Sequence, residues 1–293
     1  MDREACNDQF PFLSSGVNCQ TFDDKADQIE NLHSEVTDII TKEKEAHHIV
    51  RASVFFRDLD SKRWFGVNDT DKFYPASLIK LPIAVLYYKI AELEPGVFDR
   101  QIQIPVDTPD NTDQHYPPVE PLQPGKTYSV REMIRHMIVY SDNAPFKLLA
   151  DAGSVLRDKV LSDLGIYEPP AGAGEGAWSV TTRVYGSIFR SLYNASYLNI
   201  AYSNELLEML TQTTFTKGIV AGVPREVRVA HKFGEAEGVT EDGKVVTHVL
   251  NDCGIVYKPN DPFILCIMTE GSNYDDMEKV IQKIATSSYQ AIE

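Results

Sequence analysis

Basic charge is scarce in this chain: 28 Lys and Arg stand against 43 Asp and Glu, a formal net charge of −15 over 293 residues. Nucleic acids and anionic membrane surfaces are gripped by clustered Lys and Arg, so neither is an expected partner. No stretch of eighteen apolar residues occurs, which leaves no segment for a hydrophobic spanning helix. The Gly-x-Ser-x-Gly elbow of one hydrolase class and the Gly-rich phosphate loop ending in Lys-Ser or Lys-Thr are both missing. Cysteines number four, and no Cys/His spacing reads as a zinc site; His47 and His48 close a charged helix. No metal and no cofactor are expected. Met1 is followed by Asp-Arg-Glu, without the basic start and apolar run of a secretory leader.

What is present is globular. A hydrophobic content of 43% and an aromatic content of 10% are enough, at this length, to bury a sizeable core as one domain of two lobes or as two small ones. Residues 1–24 read as an irregular arm. From Asp24 to His48 one amphipathic helix is expected, with Ile29, Leu32, Val36, Ile39 and Ile40 on one stripe. Arg51–Asp58 and Arg63–Asn68 alternate as strands about a Leu59-Asp60-Ser61 turn. A helical block with Pro-rich loops, notably 105–125, runs from Ala76 to about Glu208. Three strands follow, Val227–Gly234, Val245–Tyr257 and Phe263–Thr269, and a helix from Tyr274 ends the chain. The pattern predicts an α+β fold: a five-stranded antiparallel sheet flanked by terminal helices, plus an all-helical lobe. The division is then an arm at 1–24 and a single domain at 25–293, with an α/β lobe at about 25–75 and 225–293 and a helical lobe at about 76–224.

Three short strings carry chemistry. Ser77-Leu78-Ile79-Lys80 holds the one serine with a lysine three residues on, and Ser141-Asp142-Asn143 and Lys232-Phe233-Gly234 are likewise unique. A serine hydroxyl is a poor nucleophile until a neighbour takes its proton. The apolar segment from Ser77 reads as a helix opening just after Pro75-Ala76, so Lys80 would rise one turn above Ser77 with its amine near Oγ. A helix N-terminus adds partial positive charge there. Lysine acts as a base only when neutral, through burial or nearby positive charge such as that of Lys232. Ser129-Val-Arg-Glu132 is a capping box opening a helix. Ser141 to Asn143 then form a turn before a second helix, which Gly153 would cap. Lys232 sits in an alternating strand whose edge can take up an extended peptide. Singly, each string has a plain structural meaning: a helix cap, a solvated lysine, a helix-joining turn.

In this order the three strings resemble the active-site-serine penicillin-recognising enzymes, class A β-lactamases and the related D-alanyl-D-alanine peptidases. The resemblance covers nearly all of the chain after residue 24 and implies the same α+β architecture. It implies Ser77 as nucleophile, Lys80 as general base, Ser141 as proton relay, Lys232 as electrostatic support and Asn143 as holder of the substrate amide. The oxyanion hole would be the backbone N–H groups of Ser77 and Glu235, after Gly234. The substrate would be a β-lactam or a peptidoglycan peptide, and the protein a monomer.

Two departures qualify the activity. The family has Thr or Ser where Phe233 stands, so a hydroxyl for the substrate carboxylate is gone and an aromatic is expected at the cleft rim. Class A enzymes carry Glu-x-x-Leu-Asn in a loop whose glutamate drives deacylation, and no such string lies between Ser141 and Lys232. Glu168, before Pro169, and Glu175 are the available loop carboxylates, and both also read as ordinary solvated ones. The expectation is an acyl-forming serine hydrolase with peptidase-like, penicillin-binding character; an efficient class A β-lactamase using Glu168, or a slow penicillin or peptidoglycan sensor, are the alternatives. An extracytoplasmic site is expected, whether periplasmic, secreted or anchored. Cys6 and Cys19 bracket a segment that a disulfide would close. Cys253 and Cys266 face each other across two strands, where buried thiols are the commoner state.

Overall fold

The computed structural model describes residues 26–108, 111–112, 114–150, 154–167, 178–239 and 245–292. The expected arm, the Cys6–Cys19 pair, Gly153, Glu168 and Glu175 lie outside the described residues.

Helix α1 (Ala26–Glu45) buries Ile29, Leu32, Val36 and Ile40, the stripe expected from the spacing. Strands β1 (Arg51–Asp58) and β2 (Trp64–Val67) pair antiparallel. A 3₁₀ turn over Ala76–Ile79 then runs straight into α2 (Lys80–Ala91). Two short strands absent from the sequence reading, β3 (Gln101–Gln103) and β4 (Thr127–Ser129), pair with each other and close off the long Pro-rich loop between them. Three residues apiece carry too little alternation to be seen in advance.

The capping box at Ser129 and Glu132 opens α3 (Val130–Val139). After it come α4 (Asn143–Ala150), α5 (Ser154–Asp163), α6 (Thr182–Tyr193) and α7 (Ile200–Leu210). The last strands are β5 (Val229–Val239), β6 (Val245–Val256) and β7 (Phe263–Gly271), followed by α8 (Tyr274–Ala291). Strand β5 continues past Gly234, where the sequence reading ended it. The five strands form one antiparallel sheet in the order β2-β1-β7-β6-β5.

Alternation along the central strands splits the core in two. Val54, Phe56, Leu265 and Ile267 face α1 and α8, whereas Phe55, Ile264, Cys266 and Met268 face the helices from α2 to α7. Strand β7, covered on both faces, reads as a near-continuous apolar run for that reason. Cys253 and Cys266 are direct cross-strand partners on the helical side and are joined in a disulfide. This corrects the expectation of buried thiols: the register brings the two side chains within bonding reach. Strand β5 is an edge of the sheet, and its flank meets the 3₁₀ turn that carries Ser77.

Candidate active site

Three elements converge at that edge. The 3₁₀ turn is fixed from below by Tyr185, whose hydroxyl donates to the Leu78 carbonyl (2.8 Å), and by Asn251 of β6, whose amide donates to the Tyr74 carbonyl (3.0 Å). Ala76, at φ 49°, makes the entry bend. Ser77 is partly exposed, and among the described residues its hydroxyl makes no hydrogen bond and caps no helix. A hydroxyl held at the start of a helix yet uncommitted is free for a reacting carbonyl.

Gly234 explains how β5 comes so close. A Cβ at this position would lie 2.7 Å from the Pro75 carbonyl oxygen, 2.9 Å from the Leu78 nitrogen and 3.0 Å from the Ser77 nitrogen. All three are backbone atoms of a restrained turn and cannot step aside. Only glycine lets the strand carrying Glu235 abut the turn carrying Ser77.

The second string forms the far wall. Ser141 sits at φ 58°, a left-handed conformation that costs a serine energy and aims its side chain off the end of α3. Asp142 supports it: one carboxylate oxygen accepts from the Asn111 amide and the Ala144 N–H (both 3.0 Å), the other from the Leu122 N–H (2.7 Å). The Asn111 side chain also accepts from the Asn143 N–H (3.0 Å). The middle residue of Ser-Asp-Asn therefore staples the turn to the 105–125 loop.

Lys80 is fully buried and donates to the Ser141 carbonyl (2.5 Å), the Asn143 side-chain oxygen (2.7 Å) and Ser141 Oγ (3.3 Å). Lys232, equally buried, donates to the same Oγ at 2.9 Å and to the Phe233 carbonyl at 2.8 Å. One serine oxygen thus lies between two amines. Burial brings Lys80 down to about 7, opposed by Asp142 and Glu235. Burial, and then the neighbouring Lys80, hold Lys232 well below the usual lysine value. Of the two routes to a neutral Lys80 that the sequence reading allows, burial and a nearby positive charge, burial is the main cause. The sequence reading expects the Lys80 amine near Ser77 Oγ; among the described residues its hydrogen bonds go to Ser141 and Asn143.

Phe233 corrects a further expectation. It is not at the rim but buried, stacked on Phe215 at 4.2 Å between ring centroids, with Tyr116 edge-on at 5.9 Å and the Lys232 amine 4.4 Å from its ring. The segment His115–Tyr116 crosses from the helical side and is tied down there. Its Tyr116 N–H donates to the Glu235 carboxylate (3.1 Å), the Tyr116 hydroxyl donates to Glu278 (2.6 Å), and the His115 ring stacks on Tyr274 (4.2 Å). The other Glu235 oxygen accepts from the Tyr274 hydroxyl (3.2 Å). At the position where the resemblance implies a hydroxyl, this chain has an aromatic cluster closed by a strap and a carboxylate. Phe233→Thr is therefore expected to lose about 3 kcal/mol of stability, as large-to-small changes in packed cores do. Urea unfolding checks this; a variant as stable as the parent would show that the cluster is loosely packed.

Of the site residues read from the sequence, Ser141, Asn143, Lys80 and Lys232 form one hydrogen-bonded network, and Gly234 abuts the Ser77 turn. Glu168 lies outside the described residues. Asn111, Tyr116, Tyr185 and Asn251 were missed. They sit in loops or on distant elements with no spacing that links them to the three strings, and only the Pro-rich length of 105–125 gave a signal.

The family model described as "Beta-lactamase enzyme family" matches residues 31–292. Among solved structures, one titled "Structure of PBP-A" is 21% identical, covers 89% of this chain and 95% of its own, and has a TM-score of 0.72. A β-lactamase from Chitinophaga pinensis is 19% identical over 89% of this chain and 99% of its own, at a TM-score of 0.74. A β-lactamase from Xanthomonas campestris is 16% identical over 89% and 98%, also at 0.74. A variant of PBP-A was solved as its acyl-enzyme with penicillin G (21% identity, 90% and 96% covered, TM-score 0.72). No curated protein matches the chain.

Proposed function

The chain belongs to the β-lactamase enzyme family, and from that premise we propose that it is a serine hydrolase working through an acyl-enzyme on β-lactams or D-alanyl-D-alanine-type amides. The observation that carries this is the network in which Lys80, Asn143 and Lys232 surround Ser141, Lys80 following the partly exposed Ser77 by three residues. Ser77 Oγ attacks the carbonyl carbon, and its proton passes to the neutral Lys80 amine. Ser141 relays a proton to the leaving nitrogen as the C–N bond breaks, and Lys232 steadies that hydroxyl. Asn143 holds the substrate amide, while the N–H groups of Ser77 and Glu235 bind the oxyanion. Water then opens the ester, releasing the acid and restoring Ser77. No cofactor enters these steps.

The domain division given above belongs to the same proposal, as do a monomeric state and an extracytoplasmic location. The Cys253–Cys266 disulfide supports that location, because such bonds persist in oxidising compartments. Among the described residues no helix is long and apolar enough to cross a membrane.

Peptidase-like, penicillin-binding character is the preferred reading because the glutamate string of the fast enzymes is absent from the sequence. The acyl-enzyme is then long-lived. Intact-protein mass spectrometry over time, with a chromogenic cephalosporin followed in parallel, should show a rapid adduct and turnover far below the ~10 per second of an ordinary enzyme. Fast turnover that Glu168→Gln removes would make the protein an efficient β-lactamase. No adduct at all would remove the acyl-transfer reading.

A further inference from the structure

At the opposite edge of the sheet from Ser77, four strand spacings or roughly 19 Å away, a cavity of about 190 Å³ opens between α6 and the β1–β2 pair. Its construction follows from two periodicities. Phe55 and Arg57 lie two apart on β1 and so share the face towards α6, and Trp64 is the cross-strand partner of Arg57. On α6, Arg183, Gly186, Ser187 and Arg190 fall at i, i+3, i+4 and i+7, one face of the helix. Gly186 sets the spacing: a Cβ there would lie 2.5 Å from the Phe55 ring.

Three guanidinium groups meet in this groove, and they are not equivalent. Arg183 is committed, donating from Nε to Asp69 at 2.6 Å and lying 4.7 Å from the Trp64 ring centroid. Among the described residues, no hydrogen bond or ion pair holds the guanidinium of Arg57 or that of Arg190. Arg57 is half-buried, and its ionisation is depressed by that burial and by repulsion from Arg190, opposed by the charge of Asp58. The nearest carboxylate in sequence, Asp58, alternates to the other face of β1 and accepts from the Asp60 and Ser61 N–H groups instead. A chain with fifteen surplus negative charges thus keeps these two arginines with, among the described residues, no acid hydrogen-bonded to either. Trp64 beside them is 46% exposed, a large apolar ring left in water. Positive charges held together without a counterion are unfavourable, and an oxyanion bridging them reverses the sign.

We propose that this groove binds a small aromatic oxyanion, with its acid group bridging Arg57 and Arg190 and its ring laid on Trp64. The volume suits a single ring with one acid group, being smaller than the pockets of drug-sized ligands. The acid is a phosphate or a carboxylate; both match the guanidinium fork.

The test uses the full chain with Trp178→Phe, which leaves Trp64 as the only tryptophan. Phenyl phosphate and benzoate are titrated at constant ionic strength, with chloride as the reference. At least one of them should change the Trp64 emission saturably, and the tighter of the two identifies the acid. Arg57→Gln and Arg190→Gln should each weaken that binding at least tenfold. In the otherwise unaltered protein, neither substitution should change acylation of Ser77 by penicillin, and neither should lower the Tm, because a repulsion is removed. If Arg57→Gln does not fold, Arg190→Gln on the exposed side of α6 carries the test. A response no different from that of chloride, or one that survives Arg190→Gln unchanged, overturns the proposal.

Discussion

Ser77→Ala should abolish the covalent adduct with penicillin while leaving the fold intact. The expectation has two physical parts. Among the described residues the hydroxyl makes no hydrogen bond and caps no helix, so its loss should change stability by no more than about 0.5 kcal/mol, as for surface substitutions away from special features. Chemically, Ser77 is partly exposed and lies three residues before the buried Lys80. Ser141, the other hydroxyl of the site, is 1% exposed and already receives hydrogen bonds from both lysines. Intact-mass measurement after incubation with penicillin, paired with a melting curve, separates the two parts. A retained adduct in a folded variant assigns the nucleophile elsewhere.

The second large effect concerns Lys80. Lys80→Met keeps the aliphatic stem inside the core and removes the amine, so packing is largely preserved. Acylation should fall by about 10²–10⁴, the usual contribution of a general base. The pH profile adds a readout that a purely structural lysine would not give. With the amine near 7, only its deprotonated form accepts the Ser77 proton. The acylation rate should therefore drop about tenfold for each pH unit below 7 and level off above it. The sign follows from the charge: burial disfavours the ammonium, so the base is available at neutral pH rather than only above 10. A profile flat from pH 5 to 9, or acylation at the parental rate in Lys80→Met, would show that another group takes the proton.

The three strings were legible because each is a fixed set of residue types at short spacing: a serine three residues before a lysine, a turn of Ser-Asp-Asn, a glycine two residues after a lysine. The same holds for the larger elements. The stripe of α1 and the strands β1 and β2 follow from apolar period, because each is read over a few consecutive residues. Strand ends were misjudged where packing took over. Gly234 reads as the stop of a strand, yet it is the point at which β5 needs no side chain in order to meet the Ser77 turn.

Phe233 shows the limit most clearly. By itself it is a hydroxyl lost and an aromatic gained, and nothing local says whether the ring faces solvent. Its burial depends on Phe215, on Tyr274 and on Tyr116 from a loop more than a hundred residues earlier. Likewise, Cys253 and Cys266 are visibly opposite one another in sequence, but the disulfide between them depends on the register of β6 against β7. The direction of the Lys80 shift came from its enclosure, which no spacing encodes. Sequence by itself determined the three strings, the antiparallel sheet and the helical block between its strands, since those depend on residue type and periodicity. Only the tertiary structure decided which amines are desolvated, what packs around Phe233 and where Arg57 and Arg190 meet, because burial and electrostatics are properties of surroundings assembled from distant parts of the chain.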